Sequence, residues 1–277
     1  MSALIASEKK SGRTVRLTAP YSALASIYDY VMDHVDYALW ARYLLGLFQQ
    51  HGDNIQHVLD VSCGTGSLCR HLADAGLTVY GCDAAWPMLR VARKKIGAQR
   101  LWCGDLRTIG ATWAPQAVLS TYDSMNYLMT PSDWLAALQS IHRLLPVGGI
   151  FIFDVSTLYN STTVFQRYIQ KDTTPGGNYL RTSYFQPRGS IQVNEFKIRL
   201  AEAPDVLFKE VHRQKIISLD TVRGYIAGTP FQLQACYSDF TFLPANEKAE
   251  RVHFVLKKTA AGGPETHSSS FGKRRWR

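Results

Sequence analysis

The stretch His57–Gly66, HVLDVSCGTG, constrains most strongly what this chain can fold into. Its first half is an apolar run that predicts a buried strand, and Gly64 and Gly66 predict a tight turn that approaches a ligand closely. Helical spacing follows over Leu68–Ala75, which leaves free N–H groups at the helix start. A second strand, Thr78–Asp83, ends in an acid. Strand, turn, helix, strand and acid form half of a mononucleotide-binding unit, with the acid placed to bind ribose hydroxyls.

The residues in this unit also limit the choice of nucleotide. Ser62, Gly64 and Ser67 occupy the frame of the dinucleotide fingerprint G-x-G-x-x-G, so two of its three glycines are missing. No G-K-S or G-K-T phosphate loop follows. Asp60, at the strand end, suits a cationic ligand better than a pyrophosphate. S-adenosylmethionine carries both a sulfonium and an ammonium group.

Four motifs then occur in order: Asp60–Gly66, Asp83, Gly104–Arg107 and Leu144–Gly149. In order and spacing they resemble the motif series of class I S-adenosylmethionine-dependent methyltransferases, over about residues 20 to 157. Ser62 stands where many members of that family have glycine. The resemblance implies S-adenosyl-L-methionine as cofactor, S-adenosyl-L-homocysteine as product and an activity in class EC 2.1.1.

The resemblance also implies a set of cofactor contacts. The Asp105 carboxylate would receive the adenine amino group, and the backbone of Leu106 would pair with a ring nitrogen; for Asp105 a turn cap is the alternative. Met88 would lie near the adenine. The expected cofactor-binding residues are Tyr21, Asp60, Ser62, Cys63, Gly64, Gly66, Asp83, Ala84, Met88, Gly104, Asp105, Leu106, Thr121 and Tyr122.

Two predicted helices precede the first strand of the glycine turn. The pattern Tyr21 to Tyr28–Asp29, followed by Trp40, resembles the small-molecule branch of the family, in which the N-terminal segment covers the cofactor as a lid. For Trp40 we favour simple packing onto the sheet. For Tyr21 and Tyr28 the lid and the packing roles both stay open, since a tyrosine combines an apolar ring with a polar tip.

The predicted strand Ala117–Thr121 follows the reversal of strand order, where ligands of open α/β sheets bind. Tyr122–Leu128 comes directly after it and is expected to face the methyl acceptor. Asp123 is a candidate base there, with a helix or turn cap as the alternative.

The pattern changes after Thr157. Three segments alternate with period two, at 179–185, 191–200 and 206–217, and predict an antiparallel sheet. A helix at 219–227 and two strands at 231–240 and 251–256 complete the core. The predicted fold is α/β: a doubly wound, Rossmann-like seven-stranded sheet with an antiparallel β insertion after the fifth strand. This topology resembles small-molecule methyltransferases, amino-sugar N-methyltransferases among them.

The formal net charge of +9 is concentrated at the chain ends. Residues 1–16 and 259–277 each carry four Lys or Arg against one Glu, so the body is close to neutral and nucleic acid is an unlikely partner. The predicted regions are a disordered tail 1–17, a cofactor-binding core with lid helices 18–157, a substrate-side insertion 158–217, the end of the core 218–258 and a disordered basic tail 259–277.

The five cysteines include no C-x-x-C pair. They are interpreted as buried apolar residues in a reducing compartment, so neither disulfides nor a metal site are expected. The N-terminus lacks a secretory pattern and no apolar run is long enough for a membrane span. These observations predict a cytoplasmic protein without a membrane partner, as a monomer or homodimer.

Methyl transfer from a sulfonium is an in-line displacement that depends mainly on positioning. A hydroxyl or ammonium acceptor also needs a base. The candidates are Tyr28, His34, Asp123, Asp154 and His212, each of which could instead be a hydrogen-bonded structural residue. Among them Tyr28, Asp123 and His212 are the predicted catalytic residues.

Glu210 and His212 lie two residues apart on one strand face, as a paired base or as a polar cluster facing solvent. The favoured function is transfer of a methyl group to an O or N atom of a small molecule. The alternatives are an RNA or protein methyltransferase and a non-catalytic cofactor-binding module.

Overall fold

The computed structural model describes residues 7–10 and 13–260 of the chain. The strands in chain order are β1 (Ser7–Lys10), β2 (Arg13–Leu17), β3 (His57–Asp60), β4 (Thr78–Asp83), β5 (Leu101–Cys103), β6 (Ala117–Ser120), β7 (Ile150–Ser156), β8 (Arg167–Thr174), β9 (Gly177–Gln186), β10 (Ile191–Leu200), β11 (Val206–Lys215), β12 (Phe231–Ser238) and β13 (Arg251–Lys258). The α-helices are α1 (Tyr28–Val31), α2 (Tyr37–His51), α3 (Ser67–Asp74), α4 (Trp86–Ile96), α5 (Pro131–Leu144), α6 (Leu158–Thr163) and α7 (Leu219–Ala227). Short 3₁₀ helices cover Leu24–Ser26, Ala98–Arg100 and Ser124–Tyr127.

The central sheet has seven strands in the order β12-β13-β7-β6-β3-β4-β5. The strands from β7 to β5 run parallel, and β13 is antiparallel to both of its neighbours. The direction of winding reverses between β3 and β6, so a crevice opens beyond their carboxyl ends. The predicted doubly wound, Rossmann-like sheet of seven strands is confirmed.

Helices cover both faces of this sheet. Every residue of β6 and β7 is buried, as is typical of parallel strands between two helical layers. Apolar side chains of α2, α3 and α4 pack on one face, and those of α5 and α7 pack on the other. The crevice at the switch between β3 and β6 is therefore held by a rigid, two-sided core.

The second sheet has six strands in the order β1-β2-β11-β10-β9-β8. The predicted antiparallel segments correspond to β9, β10 and β11, which lie after the fifth strand of the core as expected. The edge strand β8 was not predicted. Its sequence, RYIQKDTT, is mostly exposed, so it lacks the apolar alternation that identifies a half-buried strand.

The N-terminal residues differ from the expected disordered tail 1–17. Within it, Ser7–Lys10 and Arg13–Leu17 form strands, and β2 pairs in parallel with β11, from Thr14 opposite Val206 to Leu17 opposite Lys209. Backbone pairing to a free sheet edge satisfies N–H and C=O groups without requiring apolar side chains, which explains why composition did not reveal it. Residues 1–6, 11–12 and 261–277, the last within the expected basic tail, lie outside the described residues. The boundaries predicted for the other regions of the chain stay predictions.

The segment between β2 and α2, residues 18–36, connects the two sheets. The predicted first helix is reduced to the turn Leu24–Ser26 and the single turn α1. Leu24, Ile27 and Val31 pack with Phe196 and Ile198 of the second sheet. We call residues 18–32 of this segment the N-terminal strap.

None of the helices in the described ranges is both long and apolar enough to cross a bilayer.

Candidate active site

The turn after β3 requires glycine at two positions. Gly64 and Gly66 have φ values of +55° and +77°, in the left-handed region that glycine adopts without strain. A Cβ on Gly66 would lie 3.1 Å from the Cβ of Ala92, and one on Gly64 would lie 3.4 Å from the Met88 methyl group. The turn and α4 therefore approach closely at Gly66, where a side chain would crowd Ala92, whereas at Gly64 the positive φ is what requires glycine.

The acid at the end of β4 holds this turn in place. The Asp83 carboxylate accepts hydrogen bonds from the backbone N–H of Gly64 at 2.9 Å and of Ala85 at 2.8 Å. Burial raises the pKa of Asp83, and the two backbone N–H groups oppose that increase. Asp83 also borders the cleft beside the turn, so one carboxylate both fixes the loop and faces the ligand space.

A cleft of about 460 Å³ opens between the ends of β3, β4 and β6, and we call it the glycine-turn cleft. All of the predicted cofactor-binding residues except Gly66 and Asp105 border it: Tyr21, Asp60, Ser62, Cys63, Gly64, Asp83, Ala84, Met88, Gly104, Leu106, Thr121 and Tyr122. The fold therefore brings together side chains from an interval of about one hundred residues. Their contacts with a cofactor stay predictions.

Asp60 is the most deeply buried acid of this cleft, with 1% of its surface exposed. One carboxylate oxygen accepts the Ser62 N–H at 3.0 Å and the other accepts the Cys69 thiol at 3.7 Å. Burial raises the pKa of Asp60 to about 7. A positively charged group bound beside it would favour the ionised form.

Two predicted residues do not border the cleft, although their chain neighbours do. Gly66 is the N-cap of α3, where its left-handed conformation starts the helix. The Asp105 carboxylate is bound to Arg107, whose Nε and terminal nitrogen donate to it at 2.9 and 2.6 Å, and whose backbone N–H donates at 2.8 Å. These bonds lower the pKa of Asp105. Its geometry is that of the alternative role, a turn cap.

Trp86 was not predicted as a site residue. It starts α4 at the rim of the glycine-turn cleft, with 57% of its surface exposed. An exposed indole beside a cleft is unusual for a large apolar side chain, and it offers a flat surface on which an adenine could stack. Its position three residues after Asp83 is the only signal that the sequence holds.

A second cavity of about 600 Å³ lies between the N-terminal strap and the second sheet. Four tyrosines border both this cavity and the glycine-turn cleft: Tyr21, Tyr28, Tyr122 and Tyr127. Most side chains of β10 and β11 that border it are polar and buried, among them Asn194, His212 and Gln214, and the exception is Phe196. The two spaces therefore share one wall of aromatic rings.

A continuous hydrogen-bond chain starts at Glu210 and ends at that wall. Glu210 Oε2 lies 3.3 Å from His212 Nε2, and His212 Nδ1 lies 2.9 Å from the Tyr127 hydroxyl. The Tyr127 hydroxyl lies 2.8 Å from that of Tyr21. If Nε2 donates to the carboxylate, Nδ1 holds a lone pair and accepts from Tyr127. We call these four residues the Glu–His–Tyr–Tyr chain.

The pair Glu210 and His212 is buried, so it is not the solvent-facing cluster that the sequence left open. Glu210 also accepts the backbone N–H groups of Tyr21, Ala23 and Leu24, at 2.8, 2.5 and 3.1 Å. It is therefore the anchor of the N-terminal strap. Tyr127 lies in the stretch expected to face the acceptor, but its hydrogen bond to His212 was not predicted, because the two residues are 85 positions apart in the chain.

Asp123 is bound on both carboxylate oxygens. Arg251 donates to Oδ1 at 2.8 Å, and the Gln214 amide donates to Oδ2. Asp123 borders the second cavity, and burial raises its pKa while Arg251 opposes the increase. The ion pair occupies the lone pairs that a base would use, so the geometry favours a structural role over the predicted catalytic one.

Asp154 fixes the backbone at the switch in strand order. Tyr122 and Asp123 have φ values of +62° and +53°, unusual for residues with side chains. Asp154 accepts both of their N–H groups at 2.7 Å and is paired with Arg251. This candidate base is therefore a support for the loop beside the cleft.

Tyr28 and His34 both border the second cavity. The Tyr28 ring packs edge-on against Tyr21 with 5.9 Å between centroids, and burial raises the pKa of Tyr28 well above its ordinary value. Its hydroxyl has no hydrogen-bond partner among the described side chains. Tyr28 thus lines the cavity, and its hydroxyl group stays protonated.

The chain matches the family described as methyltransferase domain over residues 58–149, the part that includes the glycine turn and Asp83. This chain carries a methyltransferase domain. A putative methyltransferase of Bacillus subtilis, YqeM, is 29% identical over 248 residues, 86% of this chain and 97% of the relative. The likeness therefore extends over both sheets of this methyltransferase.

Other relatives share about half of the chain. The dTDP-3-amino-3,6-dideoxy-alpha-D-glucopyranose N,N-dimethyltransferase of Streptomyces fradiae is 33% identical over 146 residues, 51% of this methyltransferase and 57% of the relative. Among solved structures, an S-adenosylmethionine-dependent methyltransferase from Clostridium acetobutylicum superposes with a TM-score of 0.73 and 20% identity, over 87% of this chain and 99% of that one. At that identity the superposition shows the fold.

Further solved methyltransferases of this fold contain S-adenosylmethionine or S-adenosylhomocysteine. Together with the family match, they support S-adenosylmethionine as the cofactor. The chemistry of the cleft agrees, since Asp60 offers a buried acid for a cationic ligand and Asp83 a second acid for hydroxyl groups.

Proposed function

We propose that this chain transfers the methyl group of S-adenosylmethionine to an O or N atom of a small molecule by in-line displacement. The observation that carries the proposal is the shared wall of tyrosines between the glycine-turn cleft and the second cavity. A cofactor in the first space and an acceptor in the second would meet there. We call the second cavity the acceptor cavity from here on.

The size of the acceptor cavity supports a small acceptor. About 600 Å³ lies within the range of small-molecule pockets. The N-terminal strap covers it, packed through Leu24, Ile27 and Val31 against the second sheet. A folded protein or an RNA duplex would need an open face at this place. The similarity to the amino-sugar enzyme of Streptomyces fradiae also favours a small acceptor.

The cofactor residues would divide three tasks. Asp60 would attract the ammonium group of the methionine end, and Asp83 would accept the ribose hydroxyls. Trp86 would cover the adenine. Positioning of two reactants can contribute about 7–11 kcal/mol to lowering a barrier, so the walls of the two spaces supply most of the required catalysis.

The acceptor would lose its proton through the Glu–His–Tyr–Tyr chain. S-adenosylmethionine would supply the methyl group: a lone pair on the acceptor atom would displace the sulfur, which would become neutral as the carbon–sulfur bond breaks. The acceptor proton passes to the Tyr127 oxygen, and the Tyr127 proton passes to His212 Nδ1. Glu210, at 3.3 Å from Nε2, stabilises the imidazolium that forms. General base catalysis of this kind contributes about 10²–10⁴-fold.

Labelled methyl transfer tests the acceptor class. Purified protein is incubated with methyl-labelled S-adenosylmethionine and, separately, with the metabolite, RNA and protein fractions of a cell extract. We expect label in the metabolite fraction only. Label in RNA or protein would replace the proposal with a macromolecular methyltransferase, and no label in any fraction, with cofactor binding intact by calorimetry, would favour a non-catalytic module.

Matched hydroxyl deletions test the proton path. Tyr127→Phe should lower kcat by about 100-fold or more, because it breaks the chain at its centre. Tyr28→Phe removes an unbonded hydroxyl from the same wall and should change kcat little. Equal losses in both variants would show that the wall acts by shape alone. A larger loss in Tyr28→Phe would move the base to Tyr28.

A further inference from the structure

Arg181 lies on β9 and borders the acceptor cavity. Its Nε donates to the Ser183 hydroxyl at 3.1 Å, and one terminal nitrogen donates to the Asn194 amide oxygen at 2.9 Å. Both partners are neutral. They orient the guanidinium and leave its charge uncompensated.

Three aromatic rings surround the same guanidinium. Its central carbon lies 5.1 Å from the ring centroid of Phe165, 5.4 Å from that of Tyr168 and 5.7 Å from that of Phe196. Such rings hold an arginine in place and reduce its contact with water, since a guanidinium stacks well on aromatic faces. Arg181 is thus fixed before any ligand arrives.

The other charged groups of the cavity are paired, bound to backbone N–H groups or, in the case of Lys248 and Glu250, exposed to solvent. Arg251 is paired with two carboxylates, Asp123 and Asp154. Asp239 accepts the backbone N–H groups of Glu250 and Arg251 at 3.1 Å. Within the described part of the chain no carboxylate lies within ion-pair distance of Arg181. An oriented cation without a counter-charge is a site for an anion.

Two buried amide side chains that border the same cavity carry unused acceptors. Gln192 and Asn160 border the acceptor cavity with 4% and 7% of their surface exposed. The Gln192 amide nitrogen donates to backbone carbonyls and that of Asn160 donates to the Ser156 hydroxyl at 2.9 Å. Their oxygens, Oε1 and Oδ1, have no hydrogen-bond partner and are themselves buried, so a ligand reaches them only after the amide groups rotate toward the cavity. A buried acceptor without a partner is costly unless a ligand donates to it.

We propose that the methyl acceptor is a hydroxylated small molecule that carries an oxyanion, a carboxylate or a phosphate monoester. Arg181 binds the oxyanion through its free N–H groups, and the amide oxygens of Gln192 and Asn160 receive hydroxyl or amino protons. The planar fork of arginine suits both kinds of oxyanion. This inference rests on the proposed function, because it assumes that the second cavity holds the acceptor.

The test compares matched probes on the protein saturated with S-adenosylhomocysteine. Glucuronate, glucose 6-phosphate and neutral glucose are titrated, and binding is followed by ligand-observed NMR. The variants are Arg181→Met, which keeps an apolar stem between the rings, and Arg181→Lys, which keeps the charge without the fork. Arg213→Met is the control, since Arg213 is an exposed arginine on β11 between the buried residues His212 and Gln214.

We expect at least one of the two anionic probes to bind about tenfold or more tightly than glucose, with the better probe naming the oxyanion. Arg181→Met should abolish that preference, Arg181→Lys should keep part of it, and Arg213→Met should keep all of it. If Arg181→Met does not fold, as judged by its S-adenosylhomocysteine affinity, the Lys variant carries the comparison.

Equal binding of charged and neutral probes, no binding of either anion, or an unchanged preference in both Arg181 variants would overturn the inference. The cofactor titration separates this from a failure of the proposed function. If S-adenosylhomocysteine does not bind the wild-type chain, the proposed function fails. If it binds and the anion preference is absent, only the assignment of Arg181 fails.

Discussion

Two buried carboxyl groups, Asp60 and Asp83, border the glycine-turn cleft with different partners. Asp83 is bound by two backbone N–H groups, of Gly64 and Ala85. Asp60 has one backbone donor, Ser62, and a thiol. Because burial is less compensated at Asp60, its pKa rises to about 7. The two acids should therefore respond differently to pH and to substitution.

Cofactor affinity should depend on the ionisation of Asp60. The folded-state pKa of about 7 lies above the ordinary value, so the carboxyl group is protonated in the free protein at lower pH. A bound ammonium favours the carboxylate; binding should then release a proton, and affinity should rise as pH increases through about 7. Calorimetry in buffers of different ionisation enthalpy measures that proton.

Asp60→Asn is the matched control for this pH dependence. It keeps the size of the side chain but removes its titration, so that only the cofactor's own amino group still titrates. The variant should bind more weakly at high pH, with a flatter profile. Parallel pH profiles for wild type and variant would remove Asp60 from the ammonium site.

Asp83→Asn should weaken cofactor binding by about 10- to 100-fold, since hydrogen bonds to a charged group are worth about 1.5–3 kcal/mol. The amide still offers one oxygen to the turn, so the thermal midpoint of unfolding should change little while the cofactor affinity falls. Calorimetry with S-adenosylmethionine provides the measurement. Asp74→Asn, at an exposed acid paired with Arg70, is the control and should bind as wild type does. An unchanged affinity in Asp83→Asn would rule out the ribose role.

The sequence could predict the residues of local motifs. Asp60, Gly64 and Asp83 lie within one strand–turn–helix–strand unit, where spacing alone determines their positions. The role of Tyr127 within the stretch expected to face the acceptor, and that of Arg181, could not be predicted in this way. Their partners come from distant elements, and a single tyrosine or arginine in a chain gives no sign of which rings or carboxylates will lie beside it.

At the scale of elements, period-two alternation predicted β9 to β11, and the apolar runs predicted the parallel core. β2 and β8 escaped because backbone pairing holds them, β8 at the edge of the second sheet and β2 between β1 and β11. The N-terminal strap was predicted as a longer helix. Its helical turns are short because Glu210 binds the N–H groups at their start and the second sheet packs on their apolar side.

Glu210→Gln should loosen the N-terminal strap. The carboxylate accepts three backbone N–H groups, and an amide has one oxygen and directs its NH₂ toward donors. We expect a loss of about 1–3 kcal/mol in the free energy of unfolding and faster hydrogen exchange over residues 18–32.

Glu195→Gln is the control for Glu210. Glu195 accepts a single side-chain bond, from the Tyr184 hydroxyl at 2.8 Å, at a partly exposed position of β10. In Glu195→Gln, hydrogen exchange over the N-terminal strap should match that of the wild type. If the Glu210 variant exchanged equally slowly there, the anchor role would be wrong.

At the scale of the whole molecule, Arg251 links the core strand β13 to the loop after β6 and to the acceptor cavity. It pairs with Asp123 and Asp154, and its guanidinium lies 4.8 Å from the ring centroid of Tyr122. The two positive φ values at 122 and 123 are stabilised by this pairing. One arginine therefore holds the loop in which cofactor and acceptor would meet.

Arg251→Met should destabilise the fold by about 3–5 kcal/mol, because it leaves buried carboxylates without a counter-charge. Arg251 lowers the pKa of Asp123, so its removal raises that pKa further. A carboxyl group whose pKa is raised in the folded state makes the folded protein less stable as pH rises. The loss of unfolding free energy in Arg251→Met should therefore be larger at about pH 8 than at about pH 5.5. Denaturant unfolding at both pH values measures it.

Arg223→Met, at an exposed pair with Asp220, should cost about 0–1 kcal/mol at either pH. A defect in Arg251→Met that is as small as this, or that shrinks with increasing pH, would contradict the role given to the buried pair.

Tyr21 has a consequence for the timing of turnover. Its backbone amide is bound to Glu210, its ring stands between the two spaces and its hydroxyl meets Tyr127. Lifting residue 21 to let a spent cofactor leave would, in the same movement, disconnect the route by which an acceptor gives up its proton. Under the proposed proton path, the donor would be exchanged only in a state that cannot deprotonate the acceptor, so each catalytic cycle would include one interval in which the donor can be exchanged but cannot be consumed.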